Sequence, residues 1–421
     1  MKSNLKIAVI GLWHLGCVTA ACLASLGHDV IALDSREIID QCYKGILPIQ
    51  EPGLAELIKK HNLLFSDDFS KIADVDFIYI TFDIPVDQND QIDLTIIYDS
   101  FNKIIPLLNE KTIIIISSQI PVGTSDILLK KLRALEKQNE ICYIPENLKL
   151  GAAIDAFLFP ERIVFGISSK SIKNKITDLF QKIDAKHFFM DLKSAEMTKH
   201  ALNTYLATLI CWSSEISDLC EATGANAVHV MQAIKAEERV SEKAPIMPGL
   251  GFGGGTLARD IQILRAVGKE KKVKTDLLNV VIQTNTERMH YIQNKLIFLL
   301  SSLSGKTIAF LGLTYKANTS TLRRSLALQI IDQLQGDVLI KAYDPTISGK
   351  IKSHPRILIC DSIIEAAKNS DALIITTDWD EFKTFNYSQL VTLMKTPLLL
   401  DTKNMLNIKN IKGMQYHGIG I

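Results

Sequence analysis

Lys199 and Asn203 stand four residues apart in a run with helical spacing, which puts an ammonium and a carboxamide on one helix face, one turn from each other. A cation and an amide so placed can hold an oxygen that is gaining negative charge; the same spacing also suits a solvated lysine beside a surface asparagine. A second stretch, Pro248 to Asp260 (PGLGFGGGTLARD), has five glycines within seven residues. Each costs a helix or strand about 1 kcal/mol relative to alanine, so the run fits backbone wrapped closely round a ligand, with a flexible surface loop as the other reading. A third pattern opens the chain. An apolar run, Lys6–Ile10, is followed by Gly11-Leu-Trp-His-Leu-Gly16 and then by small apolar residues at helical spacing, Ala20, Ala21, Leu23 and Ala24. A second strand, Val30–Leu33, ends in Asp34, 18 residues after Gly16, close to where an acidic residue takes the ribose hydroxyls of NAD rather than NADP. Trp13 occupies the middle glycine position of that fingerprint, where backbone normally approaches a pyrophosphate. These residues alone therefore also fit a βαβ unit that holds no nucleotide.

The elements that must position these groups alternate. Further strands are predicted at Phe77–Phe82, Ile113–Ser117, Ile141–Ile144 and Ile163–Gly166, with amphipathic segments at Leu54–Lys60, Leu94–Leu108 and Ser125–Glu136. Strands alternating with helices imply a parallel, doubly wound sheet, with ligands beyond the carboxyl ends of its strands. Those ends carry Thr81-Phe-Asp-Ile-Pro85, Ser117-Ser-Gln-Ile-Pro121 and Pro145-Glu146-Asn147. From Leu192 to about Leu299 the pattern is helical, with one long helix over about Ser194–Thr223. At Lys306 the opening grammar recurs: Thr307–Leu311, Gly312, a helix near Ser325–Leu334, then Val338–Tyr343 ending in Asp344, and further strands at Leu373–Thr377 and Leu398–Asp401. The expected fold is α/β, with two Rossmann-like doubly wound domains joined by a long central helix and a small all-α dimerisation region. The boundaries are 1–191, 192–300 and 301–421.

Composition narrows the function classes. A chain of 421 residues is long enough for two to three domains. Lys+Arg is 47 against Asp+Glu 46, so no charge excess points to nucleic acid or an anionic membrane as partner. No run reaches the roughly 18 apolar residues of a membrane span and the start lacks a secretory signal, so the expectation is a cytoplasmic protein. Seven cysteines, scattered and without a C-x-x-C pair, argue against a disulfide framework and against a metal site, and suit reduced, buried small hydrophobes.

The text around the lysine, Ala195-Glu-Met-Thr-Lys199-His-Ala-Leu-Asn203-Thr-Tyr-Leu-Ala207, closely resembles the central-helix motif of the UDP-glucose / GDP-mannose dehydrogenase family. The resemblance spans nearly the whole chain. Glu51-Pro-Gly-Leu54, Pro121-Val-Gly-Thr124, Pro145-Glu146, Pro160-Glu-Arg-Ile-Val164, Gly251-Phe-Gly-Gly254, Gly312-Leu-Thr-Tyr-Lys316, Leu322-Arg323, Tyr343-Asp-Pro345, Asp378-Trp379 and Asp401-Thr-Lys-Asn404 look like family landmarks in family order. The resemblance implies an N-terminal NAD-binding domain, a C-terminal domain for the nucleotide diphosphate and a homodimer built on the central helix. It also implies two successive oxidations at C6 of a nucleotide-sugar through a cysteine-bound intermediate, a step in polysaccharide biosynthesis. Carried over by residue, Lys199 and Asn203 match the pair that steadies an oxyanion, Asp260 the carboxylate that positions water, and Glu146 the first glutamate of P-E-F-L-x-E. Arg239 resembles an arginine that reaches the neighbouring subunit's substrate. Lys316 and Arg323 resemble residues lining the diphosphate and cofactor region. Gly251, Phe252 and Gly253 are the expected substrate-loop contacts; Gly11, Gly16, Asp34, Thr81 and Ser118 are the expected cofactor contacts.

Departures from the pattern fall on ligand-facing positions. Thr256 stands where the family has its nucleophilic cysteine in G-G-x-C-F-x-K-D, and Arg259 where it has lysine; Gln119 replaces the threonine of S-T-V-P-V, Leu150 the second glutamate of P-E-F-L-x-E, and Trp13 a glycine. A threonine hydroxyl with no adjacent base is a poor nucleophile, which excludes thioester chemistry at Thr256. Hydride transfer needs only NAD, a positioned alcohol and a proton acceptor. The expected function is thus an NAD-dependent oxidoreductase of a nucleotide-sugar, most readily a UDP-sugar, limited to a two-electron or transient oxidation. The alternative is a silent nucleotide-sugar-binding paralogue that regulates or scaffolds a polysaccharide pathway.

Overall fold

The computed structural model describes residues 4–48, 51–84, 92–253 and 255–421; Pro85 and Gly254, which belong to two of the motifs above, lie outside the described residues. The chain divides into two compact units, Met1–Leu202 and Asn203–Ile421, cut within the long central helix Leu192–Thr223.

The first unit is built on eight strands: β1 (Lys6–Ile10), β2 (Asp29–Leu33), β3 (Leu64–Ser66), β4 (Phe77–Ile80), β5 (Ile113–Ile116), β6 (Ile141–Tyr143), β7 (Arg162–Ile167) and β8 (Lys186–Met190). Their order is β3-β2-β1-β4-β5-β6-β7-β8. The central strands read as unbroken apolar runs because both of their faces are covered. Ile7, Val9, Phe77, Tyr79, Ile113 and Ile115 enter one core, while Ala8, Ile10, Ile78, Ile80, Ile114 and Ile116 enter the other. The strand order reverses between β1 and β4, which places the nucleotide turn after β1 at a topological switch point.

The sheet is not wholly parallel, a correction to the sequence expectation: β7 runs antiparallel to β6, with Cys142 opposite Ile167, and β8 follows β7. The connection through Pro145, Glu146 and the short helix Ala153–Leu158 is tied at the carboxyl end of the sheet by Glu51 and Lys199. A chain held there re-enters from that end and runs back.

The second unit holds a six-stranded parallel sheet, ordered β11-β10-β9-β12-β13-β14, from β9 (Lys306–Leu311), β10 (Val338–Tyr343), β11 (Ile357–Ile359), β12 (Ala372–Ile375), β13 (Leu398–Asp401) and β14 (Gln415–Gly418). It also holds the helices Thr256–Lys271 and Asp276–Arg288.

The two sheets share one turn grammar. Gly11 and Gly312 both take φ above +90° after the first strand. Asp34 accepts from Leu12 N at 2.6 Å, and Asp344 from Leu313 N at 2.7 Å. The Thr81 hydroxyl donates to the carbonyls of Ile10 and Gly11, as the Thr376 hydroxyl does to those of Leu311 and Gly312. They part at the next position. A Cβ at Gly16 would lie 1.9 Å from the Gly11 carbonyl oxygen, so the first helix can start directly at the turn. The second sheet has Ala317 there, and its helix begins only at Leu326. Gly16→Ala is accordingly expected to lower stability by about 2 kcal/mol or more through backbone displacement, read as a drop in Tm by calorimetry.

Candidate active site

In the first unit, the residues expected to hold the cofactor gather around the turn after β1. The helix His14–Ser25 opens there with no side-chain cap and no acidic residue in its first turn, leaving its first N–H groups and the positive end of its dipole for an anion. Trp13 takes φ −85° and ψ −161°, angles any residue adopts, and its side chain is 44% exposed. The indole is thus carried without backbone strain. Gly11 and Gly16 make the close backbone approach. Asp34, half-buried, accepts from Leu12 N and Ser35 N, both at 2.6 Å, one on each oxygen. The remaining lone pairs of those oxygens suit ribose hydroxyls. Taken together, the cradle that only glycine permits, the open helix start and the carboxylate beside it fit a dinucleotide. The hydroxyls of Thr81 and Ser118 are buried and spent on the framework: Thr81 donates as above and Ser118 donates to the Ile80 carbonyl at 3.5 Å.

Asp34 caps the turn, and its spare lone pairs are the ones expected to take ribose hydroxyls; Asp34→Ala is therefore expected to cost about 1–3 kcal/mol of stability and about tenfold in NAD affinity, checked by thermal unfolding and calorimetric titration.

Lys199 and Glu146 also meet within this unit. The Lys199 ammonium, 5% exposed, donates to the Glu146 carbonyl and lies 3.6 Å from Glu146 Oε2. The carboxylate also accepts from Leu148 N. Two landmark motifs prove to be buried carboxylates satisfying loop backbone. Glu196 accepts from Gly123 N and Ser125 N at the start of the helix Thr124–Ala134; burial pushes its carboxyl above the ordinary value, against the pull of those N–H groups. Glu51 accepts from Gly151 N at 2.9 Å, Ala153 N at 2.8 Å and His14 Nε2 at 2.8 Å.

In the second unit, the Asn203 amide donates to Asp260, which is fully buried one turn into the Thr256–Lys271 helix. Gly251, at φ +89°, leaves 2.5 Å between a would-be Cβ and Asn285 Oδ1. Asn285 brackets the loop, accepting from Phe252 N at 2.8 Å and donating to the Phe252 carbonyl at 3.1 Å. A Cβ at Gly253 would stand 3.3 Å from Leu326 Cβ. Arg288 donates to the Gly249 carbonyl at 3.0 Å and pairs with both oxygens of Asp218. Sequence reading misses Asn285 and Arg288, whose partners lie over thirty residues away with no local signal. Thr256 is the first residue of its helix and is exposed.

No thiol has moved in to replace the missing one. All seven cysteines are buried. Cys211, which packs in the same apolar cluster as Phe252, donates to the Val281 carbonyl at 3.3 Å, and burial pushes its thiol up to about 11. A protonated, enclosed sulfur is no nucleophile. Lys316 and Arg323 lie exposed between β9 and the Leu326–Gln333 helix; Arg239 is exposed in a turn and pairs with Glu237 at 2.8 Å.

The sequence matches three regions of one family: the UDP-glucose/GDP-mannose dehydrogenase NAD binding domain over residues 5–184, its central domain over 193–287 and its UDP binding domain over 309–408. Similar proteins include UDP-glucose 6-dehydrogenase of Rickettsia conorii (strain ATCC VR-613 / Malish 7), 32% identical over 430 residues and 99% of both chains.

The chain belongs to the UDP-glucose/GDP-mannose dehydrogenase family.

Another member, TuaD of Bacillus subtilis (strain 168), also a UDP-glucose 6-dehydrogenase, is 33% identical over 99% of this chain and 93% of its own. Among solved structures, a UDP-glucose dehydrogenase from the hyperthermophilic archaeon Pyrobaculum islandicum superposes with a TM-score of 0.89 at 23% identity, covering 99% of this chain and 98% of that one. The Staphylococcus aureus UDP-N-acetyl-mannosamine dehydrogenase Cap5O gives 0.81 at 23% identity, covering 99% and 98%. These likenesses establish the fold, two Rossmann-like domains and a long central helix. Family membership makes NAD the cofactor and gives the chain a nucleotide-sugar dehydrogenase-like function. No helix among the described residues is long and apolar enough to cross a membrane.

Proposed function

We propose that this chain oxidises one alcohol of a UDP-sugar by two electrons and goes no further, with 1–191 as the cofactor domain, 192–300 as the central helical domain and 301–421 as the nucleotide-sugar domain. One observation carries the reading: Lys199 on Glu146 and Asn203 on Asp260 are kept buried and hydrogen-bonded, while position 256 offers only an exposed threonine hydroxyl. NAD, when bound, supplies the hydride acceptor. The remaining work falls to side chains. As the C–H bond breaks, the alcohol oxygen gains charge and the Lys199 ammonium donates to it; the Asn203 amide, the partner that the family resemblance gives Lys199 in steadying the oxyanion, is held by Asp260. The hydroxyl proton leaves toward the Glu146 carboxylate, 3.6 Å from the ammonium. With no thiol to add to the new carbonyl, the product is released as an aldehyde or ketone or is reduced again in place. Gly251, Phe252 and Gly253 would hold the sugar, Lys316 and Arg323 the diphosphate. The test is NADH absorbance with NAD and UDP-glucose, UDP-N-acetylglucosamine, UDP-N-acetylmannosamine or GDP-mannose. Tight nucleotide-sugar binding with no NADH from any of them would favour the silent, scaffolding paralogue instead.

The reading includes a homodimer. Tyr205, Trp212 and Leu219 recur every seven residues on the central helix and are 60%, 39% and 56% exposed, a stripe suited to a second copy. Arg239, exposed in its own chain, would reach the partner's substrate, as the family resemblance implies. Light scattering should give twice the chain mass; a monomer at micromolar concentration would remove both the interface and that role.

A further inference from the structure

The nucleotide turn and the loop that bears Glu146 are far apart in sequence, yet one buried carboxylate holds both. Glu51, its side chain 1% exposed, accepts from His14 Nε2 at 2.8 Å on Oε2. The same oxygen accepts from Gly151 N at 2.9 Å, and Oε1 accepts from Ala153 N at 2.8 Å. His14 is the first residue of the helix that opens the nucleotide turn. Gly151, at φ +82°, and Ala153 close the loop whose other end carries Glu146, on which Lys199 rests. A carboxylate enclosed this completely has no water to replace a lost partner, so a shift of the imidazole must be met by a shift of the two loop amides.

We propose that His14 is a positioning residue: through Glu51 it makes the seat of Glu146 and Lys199 depend on occupancy of the nucleotide turn. An anion at the start of the His14–Ser25 helix draws on the first residue of that helix and fixes its ring. The fixed ring fixes Glu51, and Glu51 fixes Gly151 and Ala153. Cofactor binding thereby stiffens the loop that presents Glu146 before any sugar arrives, and the two ligands favour each other's binding reciprocally. The link rests on the functional reading above, since it needs a dinucleotide at that turn.

The test uses the full chain and compares the unaltered protein with His14→Ala, His14→Gln and Glu51→Gln. Amide hydrogen exchange at Gly151 and Ala153 is followed with and without NAD, alongside calorimetric NAD titration in the presence and absence of UDP-glucose. In the unaltered protein NAD should slow exchange at both amides by about tenfold, and UDP-glucose should raise NAD affinity. His14→Ala should still bind NAD, with the exchange response and the affinity gain both lost. His14→Gln, whose amide can still donate to Glu51, should recover most of each. Glu51→Gln should lose both even if its melting temperature falls, because the readout is the response to NAD and not the resting rate. An NAD response at Gly151 and Ala153 that survives His14→Ala would overturn the link, as would NAD binding to the unaltered protein without any response. Failure of the unaltered protein to bind NAD at all would remove the functional reading and the link with it.

Discussion

Replacing Lys199 with alanine is expected to lower NADH formation by about 10²–10³-fold at saturating substrate, the effect of removing one preorganised donor from a developing oxyanion. The size follows from where the ammonium sits. It is 5% exposed and is oriented by the Glu146 carbonyl and carboxylate, so its direction is fixed before the reaction and no water can take its place. Lys199→Arg should not restore the rate, because a planar fork cannot reproduce a compact ammonium in an enclosed site. NAD affinity should stay near that of the unaltered protein, since the nucleotide turn is formed by Gly11, Gly16 and Asp34. Steady-state absorbance and calorimetry on the same samples separate the two quantities. A Lys199→Ala variant within a few-fold of the unaltered rate would show that another group bears the oxyanion, and the assignment would be lost.

Much of this arrangement is legible in the sequence, and the reason differs from residue to residue. Ile113–Ile116 reads as a central strand because both of its faces are covered, leaving nothing but apolar residues. Gly16 and Asp34 stand out in the sequence because a helix that starts at the turn admits no Cβ there, and because the turn needs a carboxylate to take its N–H groups. Asp34 has a counterpart in Asp344, however, so part of its signal is the grammar of the turn and not of the cofactor. Thr81 and Ser118 illustrate the same ambiguity from the other side, since both hydroxyls bond to the backbone of the sheet. The short edge strands β3, β8, β11 and β14 are not legible: three to five residues with partly exposed faces give no clear period. Nor is the reversed β7, which depends on where Glu51 and Lys199 anchor the preceding loop. Pairings such as Asn285 with Phe252, thirty-three residues apart, are set by the packing of helices and leave no local trace.

Thr256→Cys is expected to leave the chain without four-electron turnover: incubation with NAD and UDP-glucose, UDP-N-acetylglucosamine, UDP-N-acetylmannosamine or GDP-mannose should yield no uronic acid by mass spectrometry, from this variant or from the unaltered protein. A thiol at position 256 would sit on the first turn of the Thr256–Lys271 helix, where the dipole favours a thiolate, so the nucleophile itself would be competent. What would be missing is the machinery around it. The family motif has a second glutamate where Leu150 stands, and an apolar, half-buried side chain there supplies no carboxylate for the hydrolytic water. Gln119 is buried beyond the end of β5, where the motif has threonine, so a longer carboxamide stands there in place of a hydroxyl. Groups that act as one unit are far from additive, so restoring one while its partners are absent recovers little. The expected consequence is a thioester on the introduced sulfur that is not hydrolysed, visible as a mass increase on the intact Thr256→Cys variant, each adduct having reduced two NAD. Combining Leu150→Glu and Gln119→Thr with Thr256→Cys should then release the acid. Two NADH and one uronic acid per substrate from the unaltered protein would show that Thr256, or a group outside this set, does the work assigned to the thiol, and the two-electron reading would have to be abandoned.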